Sequence, residues 1–128
     1  MAGDLLYKEE CYKIVGICMK IHTILGKGFK EIVYKDALEI ELKKDGTILF
    51  EREKPFSIAY EGVILPHTFN ADFFVYKAII LEAKAVSQVH ADVFRQTLNY
   101  LKTSKVRLGV IINFGADRLG FQRIVCNY

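Results

Sequence analysis

The run Val106-Arg107-Leu108-Gly109-Val110-Ile111-Ile112-Asn113-Phe114 is apolar at nearly every position. A strand that alternates polar and apolar residues can leave one face to water, whereas a strand apolar on both faces has to be covered on both. This run therefore reads as the central buried strand of a layered α/β sheet. Just before it, from about His90 to Thr103, Phe94, Thr97, Leu98 and Leu101 recur at helical spacing. A helix feeding a buried strand is a crossover connection, so the strand is expected beside a parallel neighbour.

The rest of the chain supplies the other layers. Ile14, Ile17, Cys18, Ile21, Ile24 and Leu25 form a helical stripe within Glu9 to Leu25 that stops at Gly26 and Gly28. A second helix opens at Glu31 and runs through Val33, Tyr34, Ala37, Leu38, Ile40 and Leu42 to Asp45-Gly46, so the two form a helical hairpin. Four β-like runs follow, Ile48–Glu53, Ser57–Tyr60, Phe69–Tyr76 and Ala78–Val86, punctuated by Pro55, Gly62 and Pro66. A last strand spans about Leu119 to Cys126. The expected order is ααββββαββ, an α/β fold with a mixed central sheet flanked by helices.

With 128 residues, 52% apolar and only two prolines, the chain is expected to form one domain, 1–128, able to bury a core without disulfides or structural metal. Cys11, Cys18 and Cys126 form no CxxC pair, and an odd number of thiols suits a reducing cytoplasm. Met1-Ala2-Gly3-Asp4 carries no basic lead into an apolar segment, and no run of about 18 apolar residues occurs, so neither a signal peptide nor a membrane span is expected. A formal charge of +3 allows polyanion binding without requiring it. The absence of a GxSxG elbow and of a histidine near the cysteines in sequence gives serine and cysteine nucleophiles little support, and the absence of a P-loop and a Rossmann glycine pattern removes nucleotide-cofactor enzymes.

The segment Asn70-Ala71-Asp72-Phe73-Phe74-Val75-Tyr76-Lys77-Ala78-Ile79-Ile80-Leu81-Glu82-Ala83-Lys84 carries the candidate chemistry. If its hairpin is centred on Lys77, Asp72 falls opposite Glu82 with the side chains about 5 Å apart. Period-two alternation adds Lys84 to the Glu82 face. Facing carboxylates repel, so they need a cation between them, either Lys84 or a bound metal. Mg²⁺ suits such oxygen donors and polarises phosphodiesters, while a neighbouring lysine stabilises charge growing on phosphorus. The same spacing also describes a plain Asp72–Lys84 ion pair on a half-solvated sheet face.

Gln96 and Tyr100, four apart on the third helix, share a flank that can reach over this sheet face or simply close the core edge. Glu31 starts the second helix, where a carboxylate favours the helix dipole. Glu41 falls inside an apolar stripe and is expected in a buried structural ion pair first and as a site acid second. His22, at the edge of the first stripe, reads as a hydrogen-bonded core residue.

Gly28-Phe29-Lys30-Glu31-Ile32-Val33-Tyr34, its continuation to Leu42, Asn70-Ala71-Asp72, Glu82-Ala83-Lys84 and Gln96-Thr97-Leu98-Asn99-Tyr100-Leu101 together resemble the GxxExxY proteins. That family is grouped with the PD-(D/E)XK, restriction-endonuclease-like nucleases, and the resemblance runs from about His22 to Arg123. Ala71 stands where the superfamily pattern has proline before the aspartate. The resemblance implies a restriction-endonuclease-like core, with Asp72 and Glu82 as ligands of Mg²⁺ or Mn²⁺ and Lys84 orienting water or stabilising charge. It further implies Glu31 as an acid near the metal, and Gln96 and Tyr100 as substrate-positioning groups. The expected activity is metal-dependent cleavage of nucleic acid, DNA foremost, with no membrane partner; the alternative is a nucleic-acid-binding or protein-assembly module that keeps the fold without the chemistry. By analogy, so short a chain gripping a duplex is expected as a homodimer.

Overall fold

The computed structural model describes residues 5–127, so the reading made on Met1–Asp4 lies outside the described residues. Two helices, α1 (Lys8–Leu25) and α2 (Glu31–Asp45), lead into β1 (Phe50–Tyr60), β2 (Val63–Val75) and β3 (Ile79–Lys84). Then come α3 (Ala91–Ser104), β4 (Leu108–Asn113) and β5 (Gly120–Val125). The strands form one mixed sheet in the order β1-β2-β3-β4-β5. The crossover through α3 sets β4 parallel to β3, while the other neighbours run antiparallel.

Burial follows the sequence pattern closely in the centre. All six residues of β4 are buried. On one sheet face, Ile79, Leu81 and Ala83 of β3 and Leu108, Val110 and Ile112 of β4 pack with Ile14, Cys18 and Ile21 of α1 and Tyr34, Leu38 and Leu42 of α2. On the other, Ile80 joins Phe69, Ala71 and Leu101, so α3 covers that side. α1 and α2 end at Gly26 and Gly46, whose φ values of 68° and 72° suit glycine. All three cysteines are buried free thiols. Among the described residues no helix is long and apolar enough to cross a membrane.

Two expectations change. The runs Ile48–Glu53 and Ser57–Tyr60 are a single strand, β1, and the next strand begins at Val63 rather than Phe69, so three strands, not four, precede α3. Pro55 does not interrupt β1 because β1 is the sheet edge, where a missing N–H costs no ladder bond on the open side. Pro66 lies where the β1–β2 register shifts, between the pairs Ser57↔Thr68 and Ala59↔Ile64. Ile24 and Ile40, read as part of the helical stripes, are 69% and 58% exposed.

Candidate active site

The β2–β3 hairpin pairs Phe73 with Leu81, Phe74 with Ile80 and Val75 with Ile79, which is the register expected from a centre at Lys77. One step further, Asp72 and Glu82 come opposite each other and side chains take over the ladder. The Ala83 N–H donates to Asp72 Oδ2 at 2.8 Å, and the Asp72 N–H donates to Glu82 Oε2 at 3.3 Å. β2 also changes face at this point. Phe73 and Val75 pack in the α1–α2 layer, whereas Ala71 and Phe69 pack in the α3 layer. On β1, Glu53 falls between the pairs Arg52↔Phe73 and Lys54↔Ala71 and has φ 55°, a left-handed conformation that is strained for a residue with a side chain.

Glu82 is only 8% exposed. Burial, and then the Asp72 charge across from it, push its carboxyl up to about 9. The cation that balances Asp72 comes from α2. Lys35 Nζ lies 3.1 Å from Asp72 Oδ1 and 2.5 Å from Glu53 Oε1, with both the Lys35 and Asp72 side chains nearly out of solvent. The expected Asp72–Lys84 pair is not the one formed. Burial works against the Lys35 charge, but Glu53 and Asp72 outweigh it and hold the ammonium above its ordinary range.

A cleft of about 140 Å³ opens on the α3 side of these strands. Asp72, Glu82 and Lys84 line its sheet wall, and Gln96 and Tyr100 line its helix wall. Five of the six residues that the resemblance assigns to the site thus meet in one cavity, joined there by Asn70, Val93 and Thr97. The Tyr100 ring stacks on Phe69 at 3.9 Å between centroids and 2° between planes. Burial, then the charges of Glu82 and Asp72, push its phenol up.

Glu31 is not in the cleft lining, but it sits within electrostatic reach of it from the first turn of α2. Burial pushes its carboxyl up; Lys84 pulls it down and Asp72 pushes it further up. Tyr34 fixes the start of this helix. It is fully buried, its hydroxyl donates to the Gly26 carbonyl at 2.6 Å and accepts from the Phe29 N–H at 3.3 Å, and its ring stacks on Phe114 at 4.7 Å. The tyrosine of the Gly28–Tyr34 motif therefore ties down the loop that delivers its glutamate.

His22 and Glu41 stand apart from this site. His22 Nε2 lies 3.0 Å from the Ala116 carbonyl oxygen, and Glu41 pairs with Lys20 at 2.8 Å and Lys44 at 3.6 Å. Lys35 and Glu53 were not foreseen as parts of the site, and Asn70 was named only within its motif. Lys35 had a usable signal, since it is one helical turn beyond Glu31 and shares its face. Glu53 had none, because a left-handed glutamate is not written in residue types.

Among the described residues no group of three or more His, Cys, Asp or Glu is placed to hold a metal. The residues that could donate to an ion are the pair Asp72 and Glu82. Such a pair fits Mg²⁺, which takes one or two carboxylates and completes its shell with water and phosphate oxygens. The buried, mutually repelling carboxyls are also the electrostatic setting in which a cation is most favoured.

A family model described as PD-(D/E)XK nuclease superfamily matches residues 8–124. The crystal structure of SSO0001 aligns with a TM-score of 0.57 and 19% identity, over 95% of this chain and 61% of the other, so this chain spans about three fifths of that protein's length and the likeness concerns the fold. No curated protein matches the sequence.

Proposed function

The chain belongs to the PD-(D/E)XK nuclease superfamily, and from that premise we propose that it hydrolyses nucleic-acid phosphodiester bonds, DNA foremost, with Mg²⁺ or Mn²⁺ held by Asp72 and Glu82. Nucleases of this superfamily typically use divalent metals. The observation that carries the reading is the meeting of Asp72, Glu82 and Lys84 with Gln96 and Tyr100 in one cleft, at the point where β2 and β3 stop pairing through their backbones. The motif from Gly28 to Tyr34 supports the narrower reading of the chain as a GxxExxY protein. We read 1–128 as one such domain, working in the cytoplasm as a homodimer; sedimentation tests the last point.

When bound, the ion supplies Lewis acidity and neutralises charge at the phosphate. The protein's own groups set up the rest. Lys84, two residues past Glu82 on the same strand face, brings positive charge to the side of the cleft where the phosphoryl oxygens gain charge. Glu31, with its carboxyl held high by burial, is suited to take a proton from water and release it again. Gln96 and the Tyr100 hydroxyl, on the opposite wall, offer hydrogen bonds that hold the substrate against the strands.

The deciding test incubates duplex DNA, single-stranded DNA and RNA with Mg²⁺ or Mn²⁺ and compares wild type with Glu82→Ala from the same preparation. The expected result is metal-dependent cleavage of at least one substrate that the variant loses. Equal cleavage by both proteins overturns the assignment of the site. Salt-sensitive binding with no cleavage by either protein gives the place to the non-catalytic binding module.

A further inference from the structure

Both oxygens of Asp72 are already engaged. Oδ2 accepts the Ala83 N–H at 2.8 Å, and Oδ1 faces the Lys35 ammonium at 3.1 Å. An ammonium on Oδ1 competes with a divalent cation for Asp72, because the two positive charges would then share one carboxylate in a site with little water to screen them. The same ammonium has a second acceptor, Glu53 Oε1, at 2.5 Å. The two acceptors differ in mobility. The Asp72 side chain is 13% exposed and pinned by a backbone amide, whereas the Glu53 side chain is 46% exposed and sits on the edge strand β1.

We propose that Lys35 is a built-in counter-ion for Asp72 that shifts fully onto Glu53 when a divalent cation binds, so that the Lys35–Glu53 pair sets how tightly the site holds metal. The inference rests on the metal-site reading above. Without the ion, the ammonium is the positive charge set against Asp72 where it faces Glu82. With the ion, that duty passes to the metal, and Glu53 keeps the displaced ammonium paired. Lys35 is thus a positioning residue acting through Asp72, and its two acceptors give it opposite mutational signatures. Removing the ammonium takes away a competitor. Removing the Glu53 charge leaves the ammonium nowhere to go and strengthens its hold on Asp72.

The test is calorimetric titration of the full chain with Mn²⁺, without nucleic acid, for wild type, Lys35→Met, Lys35→Gln, Glu53→Gln and Asp72→Ala. Both Lys35 variants are expected to bind Mn²⁺ about tenfold more tightly than wild type, equivalent to about 1.4 kcal/mol, and Glu53→Gln several-fold more weakly. The rise in Tm on adding Mn²⁺ follows the same order, which reads the effect even in a variant weakened by loss of the ion pair. If wild type binds Mn²⁺, Asp72→Ala does not, and the Lys35 variants bind no more tightly, the counter-ion inference is overturned while the metal site stands. If no protein in the series binds Mn²⁺, both fall.

Discussion

Asp72 and Glu82 each accept a backbone N–H from the facing strand, Ala83 to Asp72 and Asp72 to Glu82, so that two carboxylates stand in the ladder where carbonyls would otherwise be. The substitution holds β2 and β3 in register while turning their facing positions into oxygen donors. It also buries Glu82 against a like charge.

That burial gives the metal-free protein a pH dependence. The Glu82 carboxyl is raised from its ordinary value of 4.5 to about 9. Between those values the folded chain holds a proton that the unfolded chain has released, so stability falls as pH rises. The contribution is present in full below pH 4.5 and is lost as pH passes through about 9. Thermal melts without divalent ions should therefore show Tm dropping by several degrees from pH 5 to pH 9. Glu82→Gln should flatten that slope, and a wild-type Tm that rises over the range would contradict the assignment.

If Lys84 acts as proposed, its substitution separates charge stabilisation from folding. Its ammonium acts on Glu31 and Glu82, yet its side chain is only half-buried. Lys84→Met should leave the unfolding free energy within about 1 kcal/mol of wild type while lowering the single-turnover cleavage rate about 10²–10³-fold. Equal loss of stability and rate would make Lys84 a structural residue.

Tyr34 links the core to the delivery of Glu31. Tyr34→Phe keeps the stack on Phe114 but leaves the Gly26 carbonyl and the Phe29 N–H without the hydroxyl between them. The expected cost is about 1–3 kcal/mol. Hydrogen exchange at Phe29, in the loop before α2, should speed up more than at Leu38, which lies within α2 and away from the hydroxyl.

Much of this arrangement was legible in the residues because it follows from periodicity. The double-sided apolar run at β4 required helices on both faces, and the hairpin centre at Lys77 fixed the facing of Asp72 and Glu82. What escaped depends on neighbours far apart in sequence. Lys35 reaches Asp72 because α2 packs over β3, a distance of 37 residues along the chain. The left-handed Glu53 and the change of face at Asp72 arise from strand distortion, which no spacing rule encodes. Pro55 and Pro66 suggested breaks because the edge position of β1 and the register shift near Pro66 were not visible.

Gly115 is a further constraint of this hidden kind. A Cβ there would lie 2.3 Å from the Val86 nitrogen and 2.5 Å from the Val86 oxygen, contacts with backbone that no rotamer change relieves. The crowding has a purpose in the fold. Asn113, 5% exposed, donates to the Val86 carbonyl at 2.8 Å and accepts from the Val86 N–H at 3.0 Å and the Gly115 N–H at 3.0 Å. The Phe114 N–H donates to the Lys84 carbonyl at 2.8 Å. The chain leaving β3 is thus clamped to the chain leaving β4, immediately beyond the strand that carries Glu82 and Lys84. Gly115→Ala must force these backbones apart and should cost about 3 kcal/mol or more, enough to threaten folding of a marginally stable domain. Asn113→Ala removes the side-chain part of the clamp without the overlap and leaves the Phe114–Lys84 backbone bond; it should remain folded, lose about 1–3 kcal/mol, and cleave more slowly as the end of β3 loosens around Lys84. Denaturant unfolding of both variants, with cleavage rates for the folded one, checks the pair. An Asn113→Ala protein with wild-type cleavage would show that the end of β3 is held by pairing with β4 alone.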